Sequence, residues 1–227
     1  MSGNITENGE NNIVFIQRDN IFTSSEIIAG SLGVKNSYIT KIIDKYKCDF
    51  EDGSKLKVQI KDNMKIYLLT EEQATLLMSY LKNSEKVRKF KKELVKQFFE
   101  LRTEFNKKQE LAPLRLEIRR KLTDSISELP DSPHKYLKYK QYTDLVYIFA
   151  VGKTAKQKKQ ELGLKPSQSL INFLPAYTQE IIIKLENQVA LLLDMGFSYK
   201  EIKSGLAKLV SKEKIMLTEE KAMLQAI

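Results

Sequence analysis

Between Thr23 and Ile43 the apolar positions fall into two short helical patterns. Ile27, Ile28 and Leu32 mark one side of the first, and Ile39, Ile42 and Ile43 mark one side of the second. Ser24 or Ser25 can cap the first helix, and Gly33 permits a turn with positive φ, so the segment has the outline of a helix-turn-helix. The second helix is expected from Asn36 to Lys47. Burial of its isoleucines leaves Lys35, Ser37, Thr40, Lys41 and Lys45 on a wet, basic side suited to a DNA groove, with Asn36 and Tyr38 beside them as further candidate contacts.

The flanking patterns have period two. The first dozen residues are polar and expected to fray; Asn12 to Gln17 then reads as a short strand, with Arg18-Asp19-Asn20 turning into Ile21-Phe22. Lys55 to Ile60 alternates, Asp62-Asn63 are turn residues, and Lys65 to Leu69 returns, which predicts a hairpin. A basic hairpin behind a helix-turn-helix has the character of a wing, and Lys55, Lys57, Lys61 and Lys65 would lie within reach of phosphates. Thr70-Glu71-Glu72-Gln73 fits a capping box for a helix to Leu81, and Asn83-Ser84 restarts a longer one. Along the latter, Val87, Phe90, Leu94, Phe98, Leu101 and Phe105 recur every three or four residues. That stripe either packs on the winged domain or pairs with a second subunit, so Phe90, Leu94, Phe98 and Leu101 are candidate oligomerisation residues. The other side of this helix carries Lys82, Lys86, Arg88, Lys89, Lys91, Lys92 and Lys96.

The second half reads as helical throughout. Pro113, Pro130 and Pro133 bracket a segment with Leu114, Ile118, Leu122 and Ile126 spaced by four, expected as a helix bridging two domains. A tyrosine-rich stripe follows, with Tyr136, Tyr139, Tyr142, Leu145, Val146 and Phe149 at core-like spacing. Gly152-Lys153-Thr154 is not the end of a phosphate loop, because Tyr147 stands five residues before Gly152 and a helix precedes it. Thr154 with Gln157 forms a second capping box for a helix that Gly163 ends; a long helix runs from Glu180 to Met195; Ser198 with Glu201 opens the last, Ile202 to Leu209. The expected fold is α+β, mostly α. Residues 1–110 form a winged helix-turn-helix domain, 111–133 a helical linker, and 134–227 an all-α interaction or oligomerisation domain.

Composition adjusts this picture. The 227 residues carry 38 Lys+Arg against 29 Asp+Glu, a formal charge of +9, which suits negatively charged partners. From Leu111 onward there are 19 Lys+Arg and 13 Asp+Glu, so most of the excess lies outside the winged domain. Lys156, Lys158 and Lys159, near Lys153, form the strongest local patch and are candidate partner-binding residues. A single Cys48 excludes an internal disulfide framework and a cysteine-rich zinc site. The opening Met1-Ser2-Gly3-Asn4 lacks the regions of a signal peptide and no apolar run has membrane-spanning length, so the cytoplasm is the expected location. Catalysis finds little support. His134 is the only histidine, no His, Asp or Gln is arranged around Cys48 as a nucleophile motif, and Glu71-Glu72 suit a helix's first turn. No cofactor or metal is expected.

Several separate blocks also resemble the Rha family of phage regulatory proteins. They are Thr23-Ser24 with Ile27 and Ala29, Lys45-Tyr46 with Asp49-Phe50, Tyr67-Leu68-Leu69-Thr70-Glu71-Glu72-Gln73-Ala74, and Asn83-Ser84-Glu85-Lys86-Val87 with Phe90-Lys91-Lys92 and Leu94-Val95. The resemblance covers roughly residues 12–107 and implies a winged-helix-like DNA-binding module. Asn36 departs from it, standing where many members open the second helix with histidine. Tyr139 to Tyr147, continuing through Gly152 to Gln157, resembles the carboxy-terminal region of phage antirepressors, over about 134–206. Two functions follow as expectations. The first is a regulator that binds double-stranded DNA as a homo-oligomer; the alternative is an antirepressor that captures a phage repressor by protein contact.

Overall fold

The computed structural model describes residues 12–17 and 19–209; the amino-terminal stretch expected to fray falls almost wholly outside them. The chain divides into two compact units, Met1–Phe105 and Asn106–Ile227.

The first unit contains β1 (Phe15–Gln17), β2 (Asn20–Ser24), α1 (Ser25–Leu32), α2 (Asn36–Lys45), α3 (Lys47–Glu51), β3 (Lys57–Lys61), β4 (Met64–Leu69) and α4 (Glu71–Tyr80), followed by the start of α5 (Glu85–Ser127). The strands form one antiparallel sheet in the order β1-β2-β4-β3. Asp62 and Asn63, with φ of 49° and 59°, make the two-residue turn between Lys61 and Met64. Positive φ at both positions gives a turn whose twist matches that of the strands. Thr70 caps α4 through the expected box with Gln73, and Ser84 Oγ accepts the Val87 amide to open α5. The second helix stops at Lys45 rather than Lys47, because Tyr46 leaves the helical path and α3 begins.

Ile28, Ile39, Ile43, Phe50, Tyr67, Leu69 and Leu77 form the centre of this unit's core. The α5 stripe closes it: Val87, Phe90, Leu94 and Phe98 are buried there and Leu101 packs at its edge. These side chains therefore fill the chain's own core, the first of the two alternatives open to the stripe. Covering a helical stripe within the same domain removes its apolar area from water without the entropy cost of association.

The second unit holds the remainder of α5, α6 (Lys135–Val151), α7 (Ala155–Glu161), a 3-10 turn at Leu170–Phe173, α8 (Ala176–Asp194) and α9 (residues 199–209). Leu122, Leu145, Val146, Ile182, Val189 and Ile202 are among its most deeply buried residues. An expectation changes here: Pro113 lies inside α5 without ending it, and Leu122 and Ile126 beyond it enter this second core. An interior proline costs roughly 3 kcal/mol. Burial at roughly 1.5–3 kcal/mol per large apolar side chain outweighs that cost, with Leu94 and Phe98 before the proline and Leu122 and Ile126 after it. Helix α8 also begins a turn earlier than expected, directly behind Pro175. Among the described residues no helix is long and apolar enough to cross a membrane.

The core assignment predicts a contrast within α5. Leu94→Ala should lower the unfolding free energy by about 3 kcal/mol, whereas Phe99→Ala, at a position 69 % exposed, should change it by less than about 1 kcal/mol. Chemical denaturation of the full chain measures both; equal losses would contradict the assignment.

Candidate nucleic-acid interface

The amino-terminal surface is built from the α1–α2 pair outward. Ser24 lies in extended conformation and its Oγ accepts the Ile27 amide at 3.1 Å, capping α1. Ser25 acts differently. It is fully buried, and its Oγ accepts the Tyr67 amide at 3.1 Å, fastening α1 to β4. Gly33, at φ +70°, ends α1 and reverses the chain, with the Val34 amide donating to the Ala29 carbonyl. Any Cβ there would be strained by the backbone alone.

Helix α2 buries Ile39 and Ile43 completely. Lys35, Ser37, Tyr38, Lys41 and Lys45 are exposed on its other side, with Tyr38 at 48 %. Thr40 departs from expectation. It is buried, and its hydroxyl donates to the Ser37 carbonyl at 3.3 Å, because its position borders Ile39 and Ile43 rather than the lysines. Asn36 is half-buried as well. Its Nδ2 donates to the Lys65 carbonyl at 2.9 Å, so this side chain ties the start of α2 to the hairpin instead of projecting from it.

A second tie sits near the far end of α2. Asp44 accepts Lys65 Nζ at 2.7 Å and the Tyr67 hydroxyl. The Lys65 hydrogen bond, helped by the Tyr67 hydroxyl, holds the Asp44 carboxyl below its ordinary value, while the carboxylate pushes Lys65 up and burial pushes Tyr67 up. Lys65 Nζ also lies 4.5 Å from the centre of the Tyr67 ring. Sequence reasoning singles out Lys65 but neither Asp44 nor Tyr67 as part of the site. The signal within the sequence is Asp44 itself, the one acid in α2 among its lysines.

On the hairpin, Val58 and Ile60 stand opposite Tyr67 and Lys65 and so share their face of the sheet. Both are exposed, Ile60 at 69 %. Lys57 Nζ lies 4.4 Å over the Phe22 ring and Lys61 pairs with Glu26 at 3.2 Å, while Lys55 is exposed without an ion pair among the described residues. Exposed pairs of this kind contribute roughly 0–1 kcal/mol, so a phosphate can compete for Lys61 and Lys65 at little cost. The surface therefore joins one side of α2 to one face of the hairpin, with cations at Lys35, Lys41, Lys45 and Lys65 and an apolar strip at Val58 and Ile60. Elsewhere in this unit, Lys89 and Lys96 on α5 pair with Glu85 and Glu100, one turn away on the same helix.

The basic patch of the second unit is divided by its own contacts. Lys158 pairs with Glu161 at 3.0 Å, as does Lys153 at 2.8 Å, and Lys159 Nζ donates to the Pro166 carbonyl at 3.0 Å. Of the three lysines expected as a free patch, Lys156 alone keeps no such contact among the described residues. Their spacing hides this, because the neutralising Glu161 lies on the next turn.

Residues 23–103 match the family model described as phage regulatory protein Rha. The match covers α1, α2, the hairpin, α4 and the part of α5 whose stripe closes the first core. The match lies inside the 12–107 span of the sequence resemblance. No curated protein matches the chain.

Asp44 makes the ties testable by pH. A carboxyl held below its unfolded value stabilises the fold fully above that value, 3.8, and the contribution is lost as pH falls through the lower folded value. Thermal melts should show Asp44→Asn less stable than the parent above about pH 4, with the gap closing at more acid pH. A gap independent of pH would contradict the pairing.

Proposed function

We propose that this Rha-type phage regulator binds duplex DNA, with α2 lying in the major groove and the β3–β4 hairpin beside it along the phosphates. The observation that carries the reading is the double fastening of α2 to β4, through Asn36 to the Lys65 carbonyl and through Asp44 to Lys65 and Tyr67. A helix held at both ends against a hairpin keeps its exposed side in fixed register with the hairpin's cations, which a groove of fixed width requires. Ser37, Tyr38 and Lys41 then suit base edges near the start of the helix, and Lys35, Lys45 and Lys55 suit phosphates. Val58 and Ile60 supply apolar contact for sugar edges or thymine methyl groups.

A second reading, capture of a repressor protein by the second unit, is favoured by Met195 and Phe197, exposed at 71 % and 40 % on either side of Gly196 after α8. Salt separates the two. Phosphate contacts release counterions, so DNA affinity falls steeply with ionic strength, whereas an apolar protein contact is far less sensitive.

Four variants test the DNA reading by fluorescence anisotropy on a labelled duplex across a salt series. Lys41→Glu and Lys45→Glu should each weaken binding at about 0.1 M salt, and Lys41→Ala should reduce the slope of log K against log salt by about 1. Asp44→Asn should weaken binding, since it undoes the fastening of α2 to Lys65 and Tyr67 on which the register depends. Parental affinity in both charge reversals would contradict the placement of α2, and parental or tighter binding by Asp44→Asn would contradict the role given to the fastening.

A further inference from the structure

The second unit contains a cavity of about 580 Å³, within the range of small-ligand sites. Its wall is chemically one-sided. Arg119 of α5, Lys140 of α6, and Lys156 and Lys159 of α7 face it, against the single carboxylate of Asp144. Lys140 and Lys156 are exposed and have no ion pair or hydrogen-bond partner among the described residues. Like charges gathered around one concavity repel in the empty state, and an anion that enters relieves that repulsion.

Arg119 is held for this purpose. Its Nη1 donates to Glu186 at 2.7 Å and its Nη2 to the Thr143 hydroxyl at 2.9 Å. Glu186 is only 3 % exposed, and burial pushes its carboxyl above the ordinary range. A guanidinium anchored on a buried carboxylate loses little further freedom when it meets a ligand, and its remaining N–H groups stay available. The rest of the lining differs in kind. Leu164, Pro166 and the half-buried Tyr139 give apolar and aromatic surface, and Gln160 gives an amide. Asp144 accepts the Ala155 amide through Oδ1 at 3.3 Å, which leaves its other oxygen to receive a hydroxyl.

We propose that this cavity is a binding site for a small organic phosphate of nucleoside monophosphate size, with the phosphoryl group among Arg119, Lys140, Lys156 and Lys159. The planar body lies against Tyr139, Leu164 and Pro166, and a sugar hydroxyl donates to Asp144. Volume sets the size class, the cations set the charge, and the acid beside an apolar wall distinguishes this from a site for a bare anion. The site lies wholly within the second unit and does not depend on DNA binding by the first.

Isothermal titration of the full chain with each of the four ribonucleoside 5′-monophosphates tests it, with the matching nucleosides and inorganic phosphate titrated in parallel. At least one monophosphate should bind one per chain with Kd below about 1 mM, at least about tenfold tighter than its nucleoside and than inorganic phosphate. Lys140→Glu and Lys156→Glu, both at exposed positions, should each weaken it about tenfold or more with the circular dichroism spectrum unchanged. Three results would overturn the proposal: no binding by any monophosphate, inorganic phosphate binding as tightly as the best of them, or parental affinity in both folded variants.

Discussion

The amino-terminal unit depends on Tyr67 of β4, which meets Ser25 of α1 through its amide and Asp44 of α2 through its hydroxyl. A solvent-facing helix and a two-stranded hairpin are each marginal by themselves; a lone hairpin barely holds its shape in water. Here Tyr67 joins them at two depths. Its amide is bound by buried Ser25 on α1 and its hydroxyl by Asp44 on α2, so one residue of β4 fixes both helices of the pair. Asn36 adds the third point, on the Lys65 carbonyl. The exposed lysines of α2 and Lys65 of the hairpin are thereby parts of one surface, and the spacing between them is set by the core rather than by the loops that connect them.

The same contact shows how charge is managed. The chain carries a formal excess of nine positive charges, yet many of its lysines are occupied. Lys61 rests on Glu26, Lys65 on Asp44, Lys89 on Glu85, and Lys153 and Lys158 share Glu161. Such exposed pairs add little stability, but they lower the repulsion of a basic surface and can be exchanged for phosphate. Among the cations without such partners in the described residues, Lys35 and Lys41 lie on the surface proposed for DNA and Lys140 and Lys156 on the cavity of the second unit.

What is legible in the sequence is what is local. Ser24 as a cap, Gly33 at positive φ, the Asp62-Asn63 turn and the Thr70–Gln73 and Thr154–Gln157 boxes each depend on residues within a few positions, and all are present in the fold. The α5 stripe is visible as a stripe, but periodicity does not say what covers it; the first core does. Pro113 reads as a break because a proline's local cost is evident, whereas the burial of Leu122 and Ile126 beyond it belongs to packing. Periodicity misplaces Thr40 by less than one turn, enough to move a residue from solvent to the core's edge. Asn36 looks like a base reader by type and is a fastener by position. The Asp44–Lys65–Tyr67 contact spans more than twenty residues, and the second unit's cavity draws Arg119, Thr143 and Lys159 from three helices, so no local pattern announces either.

The central claim is that α2 and the hairpin act as one DNA-facing surface, and amide chemical-shift mapping of the labelled full chain on adding a duplex addresses it directly. The account predicts shifts concentrated in residues 35–45 and 55–67, moving together along the titration. Shifts confined to residues 106–209, or an α2 that responds while the hairpin does not, would contradict it.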